Sequence, residues 1–488
     1  MAITAGGNLN KVPHPVQATL SSNYIDFIDG STGWEQQYLP DLMAKEAEVF
    51  GNRTVSGFLK QVGAEEAMTA DQVVWSEQGR LHLAYTGTVT IATSVVAITG
   101  LAGSNASYGA GTHGLRVGDT VLVAHELGYT IPCRISVVST DDVTCLPYTQ
   151  GHITEITGGA GNSGAVTILK YGSEWQKGSD TPYTDANEPS FLSYSNKPAI
   201  IRDMYHVSGS DASQIGWVET TGEDGQGGYL WYLKAEGETR MRFIDNLEMT
   251  CLEGVRGAND TAIDATAVAS GGLGVTNESP IGTQGLFDAI SDRGNKSSGI
   301  TGVNAATDLA EFDAILAEFD AQGAIEENMM FVNRATAFAM DDMLASMNSY
   351  GAGGTSYGVF DNSEDMALNL GFSGFRRGSY DFYKSDWKYL NDAGTRGAIN
   401  SRDTVNAIRG VVVPAGVSSV YDQQLGKNLK RPFLHVRYRA SQTDNRYMKT
   451  WITGSVGAQT SELDAMRVNY LSERCLITQG ANNFMLLN

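Results

Sequence analysis

The chain has 488 residues and a formal net charge of −21, from 34 basic and 55 acidic side chains. A chain this acidic is poorly suited to binding nucleic acid, because the phosphate backbone repels it. At roughly 150 residues per domain, the length predicts about three domains, which can bury apolar cores without metals or disulfides. Charged residues make up 18% of the chain, against about a quarter in typical globular proteins, which favours extensive self-association.

The cysteines and the N-terminus indicate the compartment. Cys133, Cys145, Cys251 and Cys475 form neither a Cys-x-x-Cys pair nor a zinc-ligand pattern, which favours free, buried thiols in a reducing environment. The first residues lack the charged and apolar segments of a secretory signal, and no stretch approaches about 20 apolar residues. We therefore expect a soluble chain that is made in a cytoplasm and has no membrane partner.

Charge is spread unevenly along the sequence. Residues 371–488 hold 16 Lys or Arg against 9 Asp or Glu, a local net charge of +7, so residues 1–370 carry the balance of −28. The two parts are electrostatically complementary. They can neutralise each other within one subunit or between neighbouring subunits, and the sequence leaves both arrangements open.

The beginning of the chain has two parts. Up to about residue 36, Pro13, Pro15 and several Ser and Asn predict an extended arm, which needs a surface to lie on. From Gln37 the apolar residues recur every three or four positions, which predicts a helix that ends at Gly51 and a second, short helix that ends at Gly63.

Residues 86–170 differ in character from the rest, because Ser, Thr, Gly and Val dominate. Short runs typical of β-strands alternate there with Gly or Asp turns: Thr120–Ala124, Ile131–Val138 and Val166–Lys170. The segments on either side resume an extended pattern. We therefore predict a small β-module inserted into a larger domain.

The longest helical pattern follows the Gly-rich loop at residues 222–228. Apolar residues from Leu230 to Val255 keep to one face over about 25 residues, and Gly254 or Gly257 is placed to end the helix. The long apolar face predicts a helix that lies along a large packing surface.

An α/β layer is predicted next. A helix is expected from Thr307 or Asp308 to Gly323, then a strand at Met329–Val332 and a helix from about Ala335 to Met347. The last quarter is mostly extended: Val411–Pro414, Phe433–Arg439 and Tyr447–Val456 have strand composition. The last two flank a turn-like segment, so we predict that they pair as a long basic hairpin.

Several catalytic and binding motifs fail on context. Residues 159–164 match the dinucleotide fingerprint, but they lead into a strand where the motif must open a helix. His125 and Glu126 begin a zincin-like pattern, yet Tyr129 stands where the second imidazole is needed. The acidic run Asp361–Asp365 lacks the spacing of a calcium loop.

A hydrolase is the remaining catalytic possibility. Ser356 has nucleophile-elbow spacing, and Asp403 and His435 follow in hydrolase order, but no apolar strand precedes the serine. We therefore predict a surface loop there, and the sequence predicts no enzyme, no cofactor and no metal site.

Basic residues in the last quarter are the candidate contacts. Arg376 and Arg377 lie among aromatic residues, a pattern that fits either single-stranded nucleic acid or an interface with acidic surfaces. The net charge of the chain favours the interface. With Lys430 and Arg431, they are the candidate assembly contacts.

The order of these elements resembles the major capsid protein of tailed bacteriophages, the Hong Kong 97 fold. The helix that ends at residues 242–254 looks like the spine helix of that family, and Asp308–Asn333 looks like helix and strand of its axial domain. The ending Glu462–Leu487 completes the likeness, which covers most of the chain outside residues 86–170.

The resemblance implies an α+β fold with six parts. They are an N-terminal arm and helices (1–64), strands of an extended loop (65–85 and 171–218), the inserted β-module (86–170), a peripheral domain with the spine helix (219–265), an axial domain (266–420), and a peripheral β-pair with the C-terminal return (421–488). The arm and the extended loop would lie across neighbouring subunits.

The resemblance also implies a function. Many copies would assemble in the host bacterial cytoplasm, as hexamers and pentamers, into the icosahedral head of a virion that encloses double-stranded DNA without sequence-specific binding. Portal, scaffold and decoration proteins of the same virion are the expected partners. The main alternative is a β-rich surface protein that binds a receptor or a glycan, favoured if the β-module exposes an aromatic platform.

Overall fold

The chain forms two compact units, residues 74–194 and the remainder. The structure is a computed structural model. The described residues are 55, 57–62, 64–78, 82–102, 113–126, 128–149, 151, 153, 164–178, 191–210, 219–221, 227–257, 282–297, 305–323, 325–348, 374–400, 407–415, 417–422, 427–456 and 460–488. The predicted arm, the helix after Gln37, Ser356, Asp403 and the run Asp361–Asp365 lie outside them.

Helices and strands are mixed along the described chain. The helices are α1 (Phe58–Val62), α2 (Leu230–Glu253), α3 (Leu286–Arg293), α4 (Ala305–Gln322), α5 (Arg334–Asn348), α6 (Lys388–Asn391) and α7 (Arg396–Asn400).

The first strands are β1 (Ala64–Met68), β2 (Val73–Gln78), β3 (Ala84–Thr90), β4 (Val95–Leu101), β5 (Asp119–His125), β6 (Thr130–Val138), β7 (Asp142–Pro147), β8 (Gly164–Ser173), β9 (Phe191–Asn196), β10 (Ala199–Ser208), β11 (Glu219–Thr221) and β12 (Gly227–Tyr229). The later strands are β13 (Asn295–Ser297), β14 (Glu327–Val332), β15 (Gly374–Arg377), β16 (Tyr380–Asp386), β17 (Gly410–Pro414), β18 (Val417–Asp422), β19 (Lys427–Pro432), β20 (Leu434–Arg439), β21 (Lys449–Gly454), β22 (Ala465–Thr478) and β23 (Met485–Leu487).

The unit of residues 74–194 contains a closed six-stranded barrel in the order β3-β4-β7-β6-β5-β8. Every second side chain points inward, as in β7, where Val143 and Cys145 are fully buried. The inward residues of all six strands share one apolar core, and closure leaves the barrel without a sheet edge. The three strands predicted in this region are confirmed, as β5, β6 and β8.

The long helix α2 is confirmed and packs on a five-stranded sheet of the other unit. That sheet has the order β1-β20-β22-β10, with β21 also paired to β22. Phe243 and Leu247 of α2 are buried against Val468 and Tyr470 of β22, and the Phe243 and Tyr470 rings lie 5.7 Å apart. The helix ends at Glu253, directly before Gly254, as the sequence predicts.

The predicted hairpin between Phe433–Arg439 and Tyr447–Val456 is wrong. Both segments are strands, β20 and β21, but each pairs with β22 and not with the other. Since β10 occupies the opposite edge of β22, β20 and β21 lie end to end along one edge. Residues 440–448 form an excursion between them, because β22 is long enough, at 14 residues, to pair with both.

A six-stranded sheet forms the second layer of this unit, in the order β13-β23-β17-β14-β16-β15. Apolar clusters cover both of its faces, because β17 sends Val411 and Val413 into one cluster and Val412 into the other. Helices α4 and α5 contribute to the second cluster. The predicted order of helix, strand and helix is confirmed by α4, β14 and α5, and the C-terminal β23 lies inside this sheet between β13 and β17.

Candidate assembly surfaces

Arg377 is held against a helix of its own subunit. It lies at the end of β15, and its Nε and Nη2 donate to the two carboxylate oxygens of Asp313 on α4, at 2.5 and 2.7 Å. The guanidinium holds the pKa of the Asp313 carboxyl below its ordinary range. Arg377 therefore fixes the β15–β16 hairpin to α4.

Arg376, its neighbour, points away from that pair. Its Nε lies 3.5 Å from Asp381 in the next strand, and 55% of its side chain is exposed. Alternation along a strand explains the difference, because adjacent residues face opposite sides. Arg376 thus presents a positive charge to solvent, while Arg377 is committed inside the subunit.

Lys430 and Arg431 lie on β19, which pairs with β18 as a separate two-stranded sheet. In the backbone register, Lys430 stands opposite Ser419 and Arg431 opposite Ser418. The structure brings Arg376 and Arg377 onto one hairpin, and it places Lys430 and Arg431 on a different sheet.

A buried carboxylate on α2 anchors the first described residues of the chain. Glu248 is only 7% exposed. Its two oxygens accept backbone N–H groups of Gly57 (2.7 Å), Phe58 (2.8 Å) and Leu59 (3.4 Å). These N–H groups belong to the start of α1, where helix donors have no partner inside the helix. Burial raises the pKa of Glu248, and the three N–H groups oppose that rise.

Asp245, one turn earlier on α2, accepts a further backbone bond at 3.2 Å, from Val55. Two carboxylates on one face of α2 therefore hold residues 55–59. The sequence analysis missed this anchor, because acceptor and donors are about 190 positions apart. The only local signal was an acidic pair at spacing three, on a helix that carries several other charged residues.

Asn196 connects three segments of its own unit. Its side chain is 1% exposed. The amide donates to the carbonyls of Gln284 (2.9 Å) and Leu476 (2.7 Å). Its Oδ1 accepts from the backbone N–H groups of Lys197 (2.8 Å) and Gln284 (2.9 Å) and from the Thr283 hydroxyl (3.3 Å). One buried amide therefore joins residues 196–197, residues 283–284 and β22.

Glu473 holds the excursion between β20 and β21. The carboxylate is 3% exposed, and it pairs with Arg446 at 2.5 Å and Arg439 at 3.2 Å. Arg474 donates to the Tyr447 carbonyl at 2.8 Å and lies over its ring, 4.9 Å from the centroid. Paired buried charges of this kind fix geometry more than they add stability.

The described residues give no support to the hydrolase or metal-site possibilities. His435 is 1% exposed within β20, with Nδ1 at 3.3 Å from the Pro432 carbonyl. Among the residues that the structure describes, no three His, Cys, Asp or Glu side chains converge as metal ligands. No helix in those parts of the chain combines the length and apolarity needed to cross a membrane.

The comparisons with known proteins give structural neighbours only. No protein-family model and no curated protein matches the chain. The capsid of Cyanophage P-SCSP1u is similar at 7% identity and a TM-score of 0.38, over 96% of this chain and 98% of that one. The mature capsid of bacteriophage PhiM1 is similar at 8% identity and 0.36, over 98% of both chains.

A third neighbour is the capsid of the native GTA particle, at 10% identity and a TM-score of 0.37, over 96% of this chain and 99% of that one. All three are capsid structures. Their TM-scores to this chain all lie below 0.5, and their identities are 10% or less.

Proposed function

We propose that the chain is the major capsid protein of a tailed phage, with a fold of the Hong Kong 97 type. Its copies assemble as hexamers and pentamers into an icosahedral shell that encloses double-stranded DNA. Its role is structural, and portal, scaffold and decoration proteins of the same particle are its partners.

The order of the elements carries this proposal. The ribbon of β2 and β9 comes first, followed by the 24-residue helix α2 on the five-stranded sheet, in which only the β1–β20 pair is parallel. An α/β layer follows, and the C-terminal β23 returns into it. This is the order that the sequence resemblance implies for extended loop, spine helix and axial domain.

The charge of the chain fits the inside of such a shell. A net charge of −21 repels DNA phosphates, so packaged DNA does not adhere to the wall. The basic segment 371–488 is then available for contacts within and between subunits. Arg376, Lys430 and Arg431 are our proposed contacts between subunits. Arg377 supports Arg376 by fixing the hairpin that carries it.

One feature of the barrel favours the alternative function, a surface protein that binds a receptor or a glycan. Tyr148 and Tyr171, on its outer surface, are 47% and 58% exposed. Exposed aromatic rings of this kind serve receptor and glycan binding, the role of a β-rich surface protein.

Negative-stain microscopy with light scattering of the purified full chain tests the proposal. We expect closed particles tens of nanometres across, as shells of many copies require, or rings of five and six subunits. A chain that stays monomeric or trimeric across salt and crowding conditions contradicts the capsid assignment and favours the surface-binding alternative.

A further inference from the structure

The five-stranded sheet has one side towards α2 and one side away from it. Val468 of β22, Ile201 of β10 and Met448, next to β21, pack in the apolar cluster formed with α2. Since neighbouring residues of a strand point to opposite sides, the residues adjacent to these point away from α2. The composition of that second side follows from the strand register.

Nine residues on the second side form a grid, three from each strand. Taken from β10 through β22 to β21, its rows are Arg202, Leu471 and Lys449; Met204, Asn469 and Trp451; and His206, Arg467 and Thr453. A side-chain contact agrees with this assignment, because the Asn469 amide donates to the Thr453 hydroxyl at 3.0 Å. We call these nine residues the basic face.

The basic face is open within the subunit. Met204 is 49% and Trp451 36% exposed, and Arg202, His206 and Lys449 are exposed as well. Arg, Met and aromatic residues are the types that are enriched in protein–protein interfaces. Composition and exposure together therefore indicate a contact surface.

The charge of the basic face is positive and in part uncompensated. None of its residues is acidic, although the chain has 55 acidic residues. Lys449 pairs with Asp444 at 2.8 Å. Within the described parts of the chain, Arg202 and Arg467 form no ion pair, and the buried Nε of Arg467 has no acceptor. Two positive charges are therefore left for a partner.

The carboxylate in the adjoining row is already committed. Glu473 stands opposite Ile200, one row beyond Arg202, and it is paired with Arg439 and Arg446. Because these two arginines compensate Glu473, we expect the partner of Arg202 to come from another chain.

Charge complementarity favours a second copy as that partner. Residues 371–488 carry +7, so residues 1–370 carry −28 of the net charge of −21. Copies with this net charge repel each other except where a positive surface meets an acidic segment. Nucleic acid is negative too, but the chain as a whole repels it.

We propose that the basic face binds an acidic segment of a second copy, taken from its residues 1–370. Arg202 and Arg467 pair with carboxylates of that segment. Trp451 and Met204, in the row between them, pack on its apolar atoms. This contact rests on the proposed function, since it joins subunits of the same shell.

Charge reversal in the full chain tests the contact. Arg202→Glu combined with Arg467→Glu should reduce the yield of particles or rings about tenfold, because two attractive pairs become repulsive. Arg202→Glu alone keeps the test valid if the double variant does not fold. Since Arg202 is exposed, this single variant should unfold at the wild-type temperature and still lose about threefold in yield.

The matched control is Arg240→Glu combined with Lys296→Glu. Both side chains are exposed cations of the same unit, on α2 and β13, so the change in net charge is identical. The control should assemble like the wild type. An equal loss in both double variants, or a normal yield from Arg202→Glu, overturns the proposal.

Chemical crosslinking identifies the partner. Arg202→Lys keeps the charge and places an amine on the basic face. A carbodiimide joins that amine to a contacting carboxylate as an amide and takes up the water that is lost. Unlabelled and isotope-labelled copies of this variant are assembled together before crosslinking. We expect linked peptides that join the new amine to an Asp or Glu of residues 1–370 in the other isotope, and links confined to one isotope overturn the choice of a second copy.

A single-stranded DNA oligonucleotide is the probe for the competing partner. We expect the wild type and the double variant of Arg202 and Arg467 to give the same fluorescence anisotropy of this probe. Binding that the double variant abolishes, without links between isotopes, would assign the basic face to nucleic acid and overturn the proposal.

The contact and the capsid function fail in different ways. Normal shells from the charge-reversed variants refute the contact and leave the capsid function standing. Links between isotopes in a chain that forms only dimers or trimers refute the capsid function and leave the contact standing.

Discussion

Glu248 is the single residue on which the start of the described chain most depends. Its carboxylate serves three backbone N–H groups at the start of α1. Glu248→Ala leaves them without that acceptor in a buried site, and we expect the free energy of unfolding to fall by about 1–3 kcal/mol.

Asp245→Ala is the matched control for this prediction. It removes one hydrogen bond, from the Val55 N–H to a side chain of the same helix, so it should lower the free energy of unfolding by clearly less. Urea unfolding followed by circular dichroism measures both variants. Equal midpoints for the two variants would show that α1 is not held by Glu248.

The Glu248 carboxyl also predicts a dependence on pH. Burial raises its pKa above the ordinary value of 4.5, so the folded chain retains a proton that the unfolded chain has already released. Stability from this group is therefore present below pH 4.5 and is lost as the pH rises through the raised pKa.

Glu248→Gln removes that titration while keeping a hydrogen-bond acceptor. The stability of the wild type relative to this variant should decrease between pH 4.5 and neutrality. Parallel stability curves for the two proteins over that range would mean that the carboxyl is not shifted.

The adjacent arginines Arg376 and Arg377 should have different effects. Arg377→Ala breaks a bidentate pair with Asp313 that is partly exposed, and it should lower the free energy of unfolding by about 1 kcal/mol. Arg376→Ala should change it by less than about 0.5 kcal/mol and instead reduce the yield of particles. Thermal unfolding and particle counts separate the two effects, and a normal yield from Arg376→Ala would remove that residue from the proposed contacts.

Among the elements, the barrel is the most independent. Its apolar core contains only residues of its own unit. Replacing residues 84–173 by a short Gly-Ser turn should therefore leave the other unit cooperatively folded, because no cluster of that unit loses a member. Calorimetry of the shortened chain should show one transition close to a wild-type one. Loss of every cooperative transition would mean that the two units fold only together.

Local sequence patterns were sufficient to predict individual helices and strands. They did not predict which strands pair across long distances in the chain. The apolar spacing of α2, α4 and α5 and the alternation in β5, β6 and β8 are local, so the sequence was sufficient for them. The place of β20 and β21 along one edge of β22 was not predictable, because strand composition carries no information about the partner strand. The turn-like segment between them suggested a hairpin, but both strands pair with the longer β22 instead.

The same limit applies to the candidate sites. The aromatic setting of Arg376 and Arg377 identified a notable hairpin, but the Asp313 partner lies 64 residues away from Arg377. Asn196 reaches across 280 residues to the Leu476 carbonyl, and no composition or spacing rule indicates such a bond. The role of a buried polar residue can be assigned only once the fold shows which groups it hydrogen-bonds.

At the scale of the whole molecule, three features fit the proposed repeated contact between subunits. Its net charge is high and negative, its basic side chains are concentrated in the last quarter, and its barrel exposes apolar side chains such as Leu169 and Tyr171. Closed assemblies reuse a few surfaces many times, so weak individual contacts are sufficient once copies are held close together.

The mass distribution of the purified full chain tests the capsid assignment most directly. Sedimentation in an analytical ultracentrifuge should resolve species of five and six copies of the 52.3 kDa chain, together with much larger closed particles. A single species of one to three chains, unchanged by salt, crowding or protein concentration, would contradict the assignment.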